Sequence, residues 1–253
     1  MNPEPRTPIA NPRAWQLPNA PLRGSAVTSK LVGLVVVLAL ANAARAALPL
    51  GDRYALKAGV LFVAVMGLSI GFLQQHHPFA RFGAANQITT VRAILVALVA
   101  ALVGEPRRPS IAAAAVAMSV GVTVLDGVDG WLARRGGLAS AFGARFDMEI
   151  DALLILALSV LAWRHGKAGA WILASGLMRY AFVAAGVLAR WMRASLPPSR
   201  RRQTICVIQI AALTLVMLPA IEPPISTALA AAALVTLSYS FLVDTVWLWR
   251  HAA

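Results

Sequence analysis

Long runs of Ala, Val, Leu and Ile alternate with short polar breaks along this chain, and the breaks set the element boundaries. Apolar segments fall at roughly 31–48, 54–73, 88–104, 111–133, 146–163, 168–192, 204–220 and 226–249. Each is close to the about 20 residues that a helix needs to cross the hydrocarbon of a bilayer. Backbone groups in lipid must be satisfied within the segment, and these Ala-rich, Gly-punctuated runs have neither the length nor the alternation of barrel strands. The pattern predicts an all-α fold, a polytopic transmembrane helical bundle. Eight spans is the count; the run 88–104 is short and opened by Arg92, so the range is six to eight.

The segments outside these runs complete the layout. Residues 1–29 hold six of the fifteen prolines and no apolar periodicity, which predicts a disordered cytoplasmic tail. The first apolar run starts only at Leu31, too far from the start for a signal peptide, so an uncleaved first span is expected, with cleavage near Ala39 to Ala41 as the alternative. Between the second and third runs, QQHHPFARFGAAN mixes Phe, Arg and His and fits a helix lying in the membrane interface. His76 and His77 read as headgroup-level polar residues there.

Charge then changes the picture. A net charge of +13 on a soluble chain would suggest nucleic acid, but here the Lys and Arg sit in the breaks, as topology signals and contacts to anionic phosphate. Their bias favours both termini in the cytoplasm, with Arg134, Arg135 and Arg145 on the same side. No nucleic-acid partner is expected. The single cysteine, Cys206, excludes an internal disulfide and reads as a packed small side chain. Trp131, Trp163, Trp171 and Trp191 near run ends fit interface anchoring.

Five of the ten acidic residues fall within residues 126–151. Asp126 and Asp129 are three apart at the end of the fourth run, and Asp147 and Asp151 are four apart at the start of the fifth. Those spacings put each pair on one helix face, and if the two helices are antiparallel neighbours the four carboxylates converge. Unpaired carboxylates in a low-dielectric cleft repel one another, and hard divalent cations remove that cost. Partial burial and like-charged neighbours also suit Asp151 to accept a proton. Glu149 lies off that face and is expected to pair with Arg145 or a neighbouring arginine.

The same stretch resembles the signature of the CDP-alcohol phosphatidyltransferases, D-x2-D-G-x2-A-R-x8-G-x3-D-x3-D, at Asp126, Asp129, Gly130, Ala133, Arg134, Gly143, Asp147 and Asp151. A second, weaker resemblance is N-x2-T-x2-R at Asn86, Thr89 and Arg92. The resemblance implies an integral membrane enzyme, homodimeric, with a six-helix core that transfers a phosphoalcohol group from a CDP-linked donor to a hydroxyl acceptor and releases CMP. It implies two Mg2+ or Mn2+ ions held by Asp126, Asp129, Asp147 and Asp151, with Asp151 as the base. It makes Gly130, Ala133, Arg134 and Gly143 the contacts to the nucleotide diphosphate. The chain would then divide into a tail at 1–29, two additional spans at 30–75 and a catalytic core at 76–253.

The acceptor end is less defined. Arg179 lies mid-run in the sixth span, where a charge demands a partner, either an acceptor phosphate or a structural ion pair. Arg200, Arg201 and Arg202, in LPPSRRRQT before the seventh span, resemble the basic loop that family members acting on phosphorylated acceptors use; attraction to headgroups explains them equally. Asp244 in the last span is read as part of a polar wall or as an arginine partner. Phosphatidylglycerophosphate-forming members often carry a Pro-containing, Asp-Lys-ending sequence after the third aspartate, and DMEIDAL departs from it. The expected reaction is phosphatidyl transfer from CDP-diacylglycerol to a small polar alcohol such as glycerol 3-phosphate or inositol phosphate, in the bacterial inner membrane with a cytoplasmic active site. Phosphocholine or phosphoethanolamine transfer to diacylglycerol, an ion-coupled transporter and an inactive assembly partner are the alternatives.

Overall fold

A computed structural model describes residues 20–76, 84–136, 141–194 and 196–252, with backbone alone for several stretches that include 129–136 and 141–145. Among the described residues the fold is all-α, with eight α-helices: α1 (Ala20–Ala47), α2 (Tyr54–His76), α3 (Ala84–Ala101), α4 (Pro109–Gly136), α5 (Ala141–Arg164), α6 (Leu173–Leu188), α7 (Arg200–Val216) and α8 (Ile225–Arg250). Each covers one of the eight apolar runs. Among the described residues, four stretches are long and apolar enough to cross a membrane on their own: Lys30–Ala47, Pro109–Val128, Ala170–Leu188 and Ile225–Arg250. The chain is thus a polytopic membrane protein. The described parts of α2 and α3 are apolar but shorter, and α5 and α7 carry too many charged or polar residues in their first turns.

Three boundaries differ from the sequence expectation. Residues 20–29, expected in the tail, belong to α1; residues 1–19 lie outside the described residues, as does most of the QQHHPFARFGAAN stretch. The sixth run is broken into a short 3-10 turn at Ala170–Ile172, α6, and a second turn at Arg190–Arg193. There Arg193 donates to the carbonyls of Gly186 and Val187 at 3.1 and 2.7 Å, satisfying acceptors left over at the C-terminus of α6. Finally, Arg200, Arg201 and Arg202 form the first turn of α7 rather than a loop before it.

The core centres on α3. Its buried residues Ala93, Ile94 and Val96 through Val99 point in every direction around the helix, as expected of an element covered on all sides, and α1, α2, α4 and α5 pack around it. Small residues let α1 and α2 approach: a side chain at Gly33 would come within 2.6 Å of the Phe62 ring, and Gly59 faces Leu38. Lys30 donates to the Met66 carbonyl at 2.9 Å, so the first half of α1 meets the second half of α2 and the two run antiparallel.

Polar clasps tie the connecting segments at the end of the bundle opposite the acidic residues. The Gly51 N–H donates to Glu105 at 2.6 Å, and Lys57 pairs with the same carboxylate, joining the α1–α2 connection to the α3–α4 connection. At the other clasp, just past the end of α5, Gly166 has a φ of +72° that favours glycine, and the Lys167 N–H reaches back to Ala162 O at 2.9 Å. Lys167 then donates to Ile221 O at 2.8 Å and pairs with Glu222 at 2.7 Å, while the Ser226 hydroxyl donates to Lys167 O at 2.7 Å. The sequence offered Lys57 and Lys167 only as topology charges.

Candidate active site

The end of α4 and the start of α5 bring Asp126, Asp147 and Asp151 together, each with a ligand oxygen within 4.8 Å of the others. Asp147 and Asp151 share one face of α5 through their four-residue spacing, and α4 delivers Asp126 from across the cleft. Their side chains differ in exposure, 35% for Asp126, 34% for Asp147 and 15% for Asp151. Asp151 is therefore the innermost of the three. Asp129, Gly130, Ala133 and Arg134 sit on the α4 backbone and Gly143 on the α5 backbone, with their side chains outside the described residues.

Arg92 of α3 fills the space between these acids. It is 1% exposed, and its guanidinium reaches Asp126 at 2.8 Å and Asp151 at 2.6 Å as well as contacting Asp147. A buried guanidinium is costly unless charge and hydrogen bonds compensate it, and three carboxylates this close need a positive neighbour in return. Sequence reasoning placed Arg92 in a motif but not in the acidic site. The available signal was a charge inside an apolar run, the same signal that singled out Arg179.

Cys206 of α7 also belongs here. Its Sγ lies 3.7 Å from Asp151 Oδ2, so the thiol donates to the innermost carboxylate and is more than packing material. Through this contact α7, which packs against both α4 and α5, reaches the site.

The basic residues expected at the acceptor end have protein partners. Arg179 of α6 pairs with Glu149, which faces away from the three acids, so of the two roles open to it the structure shows the ion pair. Glu149 finds its arginine across a helix interface. A buried Asp244 on α8 accepts from Arg201 and from Arg202, the latter at 3.1 Å, and Arg201 also donates to Ser240 O at 2.6 Å. Cations at a helix N-terminus oppose its dipole, and Asp244 offsets that. Two arginines against one aspartate, with Arg200 exposed beside them, leave the first turn of α7 net positive.

The donor set fits a divalent cation. All the ligand atoms are carboxylate oxygens, the chemistry hard cations prefer, and the cluster already holds a positive group in place. A comparison with protein-family models matches residues 82–242 to the family described as CDP-alcohol phosphatidyltransferase, a stretch that contains Arg92, the three clustered aspartates and Cys206. No curated protein and no solved structure matches the chain.

Proposed function

We propose, from the premise that this chain belongs to the CDP-alcohol phosphatidyltransferase family by its match over residues 82–242, that it moves a phosphatidyl group from CDP-diacylglycerol to a small polar alcohol and releases CMP. The observation that carries this reading is the convergence of Asp126, Asp147 and Asp151 where two helices leave the bundle. The net positive first turn of α7 supports a phosphorylated acceptor, such as glycerol 3-phosphate or inositol phosphate.

In this reading Asp126, Asp129, Asp147 and Asp151 hold the cations, while Gly130, Ala133, Arg134 and Gly143 contact the nucleotide diphosphate. Two divalent cations, Mg2+ or Mn2+, supply charge neutralisation on the diphosphate oxygens. Asp151, the innermost carboxylate, takes the proton from the acceptor hydroxyl. The acceptor oxygen bonds to the phosphorus that bears the diacylglycerol, the anhydride bond to the cytidylyl phosphate breaks, and CMP departs with that bond's electron pair. Arg200, Arg201 and Arg202 orient an acceptor phosphate, Arg201 and Arg202 held in place by Asp244. Arg179, tied to Glu149, acts as the wall of the cleft.

The same reading has all eight helices cross the membrane, with both termini and the site on the cytoplasmic face of a bacterial inner membrane. It takes 76–253 as the catalytic core, α1 and α2 as an addition to it, and a homodimer as the working unit. The deciding experiment is CMP release by the purified protein in lipid, with CDP-diacylglycerol, Mg2+ or Mn2+, and glycerol 3-phosphate, inositol, inositol phosphate or serine. A metal-dependent rate with one acceptor supports the assignment and identifies the alcohol. Activity confined to CDP-choline or CDP-ethanolamine with diacylglycerol overturns the donor assignment.

A further inference from the structure

Arg92 raises a question that the transfer reaction leaves open. Its guanidinium bonds Oδ1 of Asp126, of Asp147 and of Asp151, one oxygen from each member of the cluster. These are the carboxylates that a divalent cation needs. A cation entering among acids that lie within 4.8 Å of one another meets a positive charge already bonded to all three. From this geometry we infer that Arg92 is an internal counter-cation of the site: it holds the three carboxylates assembled in the absence of metal, and a divalent cation binds by displacing it from them. The inference rests on the reading of the cluster as a cation site.

The elements around Arg92 suit this role. It sits on α3, the most enclosed helix of the bundle, so its stem is held while its planar head spans α4 and α5. A lysine there would present a point charge, whereas the guanidinium fork reaches separate carboxylates with its two Nη atoms. Its hold on the site has two consequences of opposite sign. With metal absent, Arg92 stabilises the protein by cancelling part of the repulsion among the acids. With metal present, the same charge opposes binding, so affinity is lower than the carboxylates alone would give.

The test uses the full chain in detergent with no substrate. Mn2+ binding is followed by the loss of the free-ion paramagnetic resonance signal, and the thermal unfolding midpoint is recorded without metal and across a Mn2+ titration, for wild type, Arg92→Met and Arg92→Gln. The expected result is that both variants unfold at lower temperature than wild type without metal, yet bind Mn2+ with a dissociation constant at least about fivefold smaller, because a charge a few ångströms from the ion has been removed. Mn2+ should then raise their midpoints more than that of wild type. A variant that folds only when Mn2+ is supplied counts as the same result in its extreme form. Unchanged or weaker Mn2+ affinity in the folded variants overturns the inference, and so does failure of both to fold with or without Mn2+, since that makes Arg92 a fixed structural charge. If wild type itself neither binds Mn2+ nor is stabilised by it, the reading of the cluster as a cation site falls, which is a separate outcome.

Discussion

Asp151 and Glu149 are two residues apart on one helix, yet they meet different neighbours. Asp151 faces Arg92, Asp126 and Cys206, while Glu149 faces Arg179. Asp151→Asn should therefore lower CMP release at least about a hundredfold in a protein that still folds, the scale of a lost general base. Glu149→Gln should keep most of the turnover; near-normal rates in Asp151→Asn would remove that residue from its proposed role. At the opposite end, burial and then the charges of Arg107, Lys167 and Arg164 hold His165 below the ordinary histidine value. The unfolded chain thus takes up this proton more readily, and stability falls as pH drops through the ordinary range around 6.5. His165→Gln should lose less in unfolding midpoint than wild type between about pH 7.5 and about pH 5.5. Local spacing made the aspartates legible in the sequence. Arg92 was not, because it joins Asp147 and Asp151 across 55 and 59 residues of chain, a tertiary contact that no i, i+4 pattern encodes.

The helices themselves were largely legible, since each apolar run carries one. The exceptions have local causes. Arg200, Arg201 and Arg202 look like loop, but Asp244 from α8 and the Ser240 carbonyl satisfy two of them inside the first turn of α7. The sixth run reads as one long span, yet α6 stops at Leu188, where the Arg193 side chain takes over the carbonyls of Gly186 and Val187. Helix contacts also depend on residues whose importance composition does not display. A Cβ on Gly176 of α6 would lie 2.5 Å from the Cα of Leu156 on α5, backbone that cannot swing aside. Gly176→Ala should cost about 1 to 3 kcal/mol through overpacking, read as a lowered thermal midpoint. It should also push apart the faces that carry Glu149 and Arg179.

Over the whole molecule, charge is arranged by end. The acidic cluster and the arginines of α7 lie at one end, and the Lys57–Glu105 and Lys167–Glu222 clasps lie at the other. With the proposed topology, cysteines placed at Ala252 and at Arg108 in a Cys206→Ala background should react with a membrane-impermeant thiol reagent from opposite sides of sealed vesicles. Labelling of both from one side would reject that arrangement. The relation of α1 and α2 to the rest was only partly legible. Their apolar runs are plain, but the Gly51, Lys57 and Glu105 contacts that bind them to α3 bring together breaks in the pattern about fifty residues apart.

The acids that equip α5 for chemistry have a consequence for biosynthesis. This helix carries Asp147, Glu149 and Asp151 in its first three turns, and its described residues are not among the stretches apolar enough to span a bilayer alone. Acidic groups within a helix raise the free energy of its entry from the translocation channel into lipid. The elements flanking it in sequence, α4 on one side and α6 with its preceding 3-10 turn on the other, each supply such a stretch. The nascent chain should therefore deliver α5 to the membrane as a passenger between them, with Arg92 of the earlier-made α3 waiting to receive its carboxylates. In a glycosylation-mapping assay, α5 alone should insert poorly, and α3 through α6 together should insert it well.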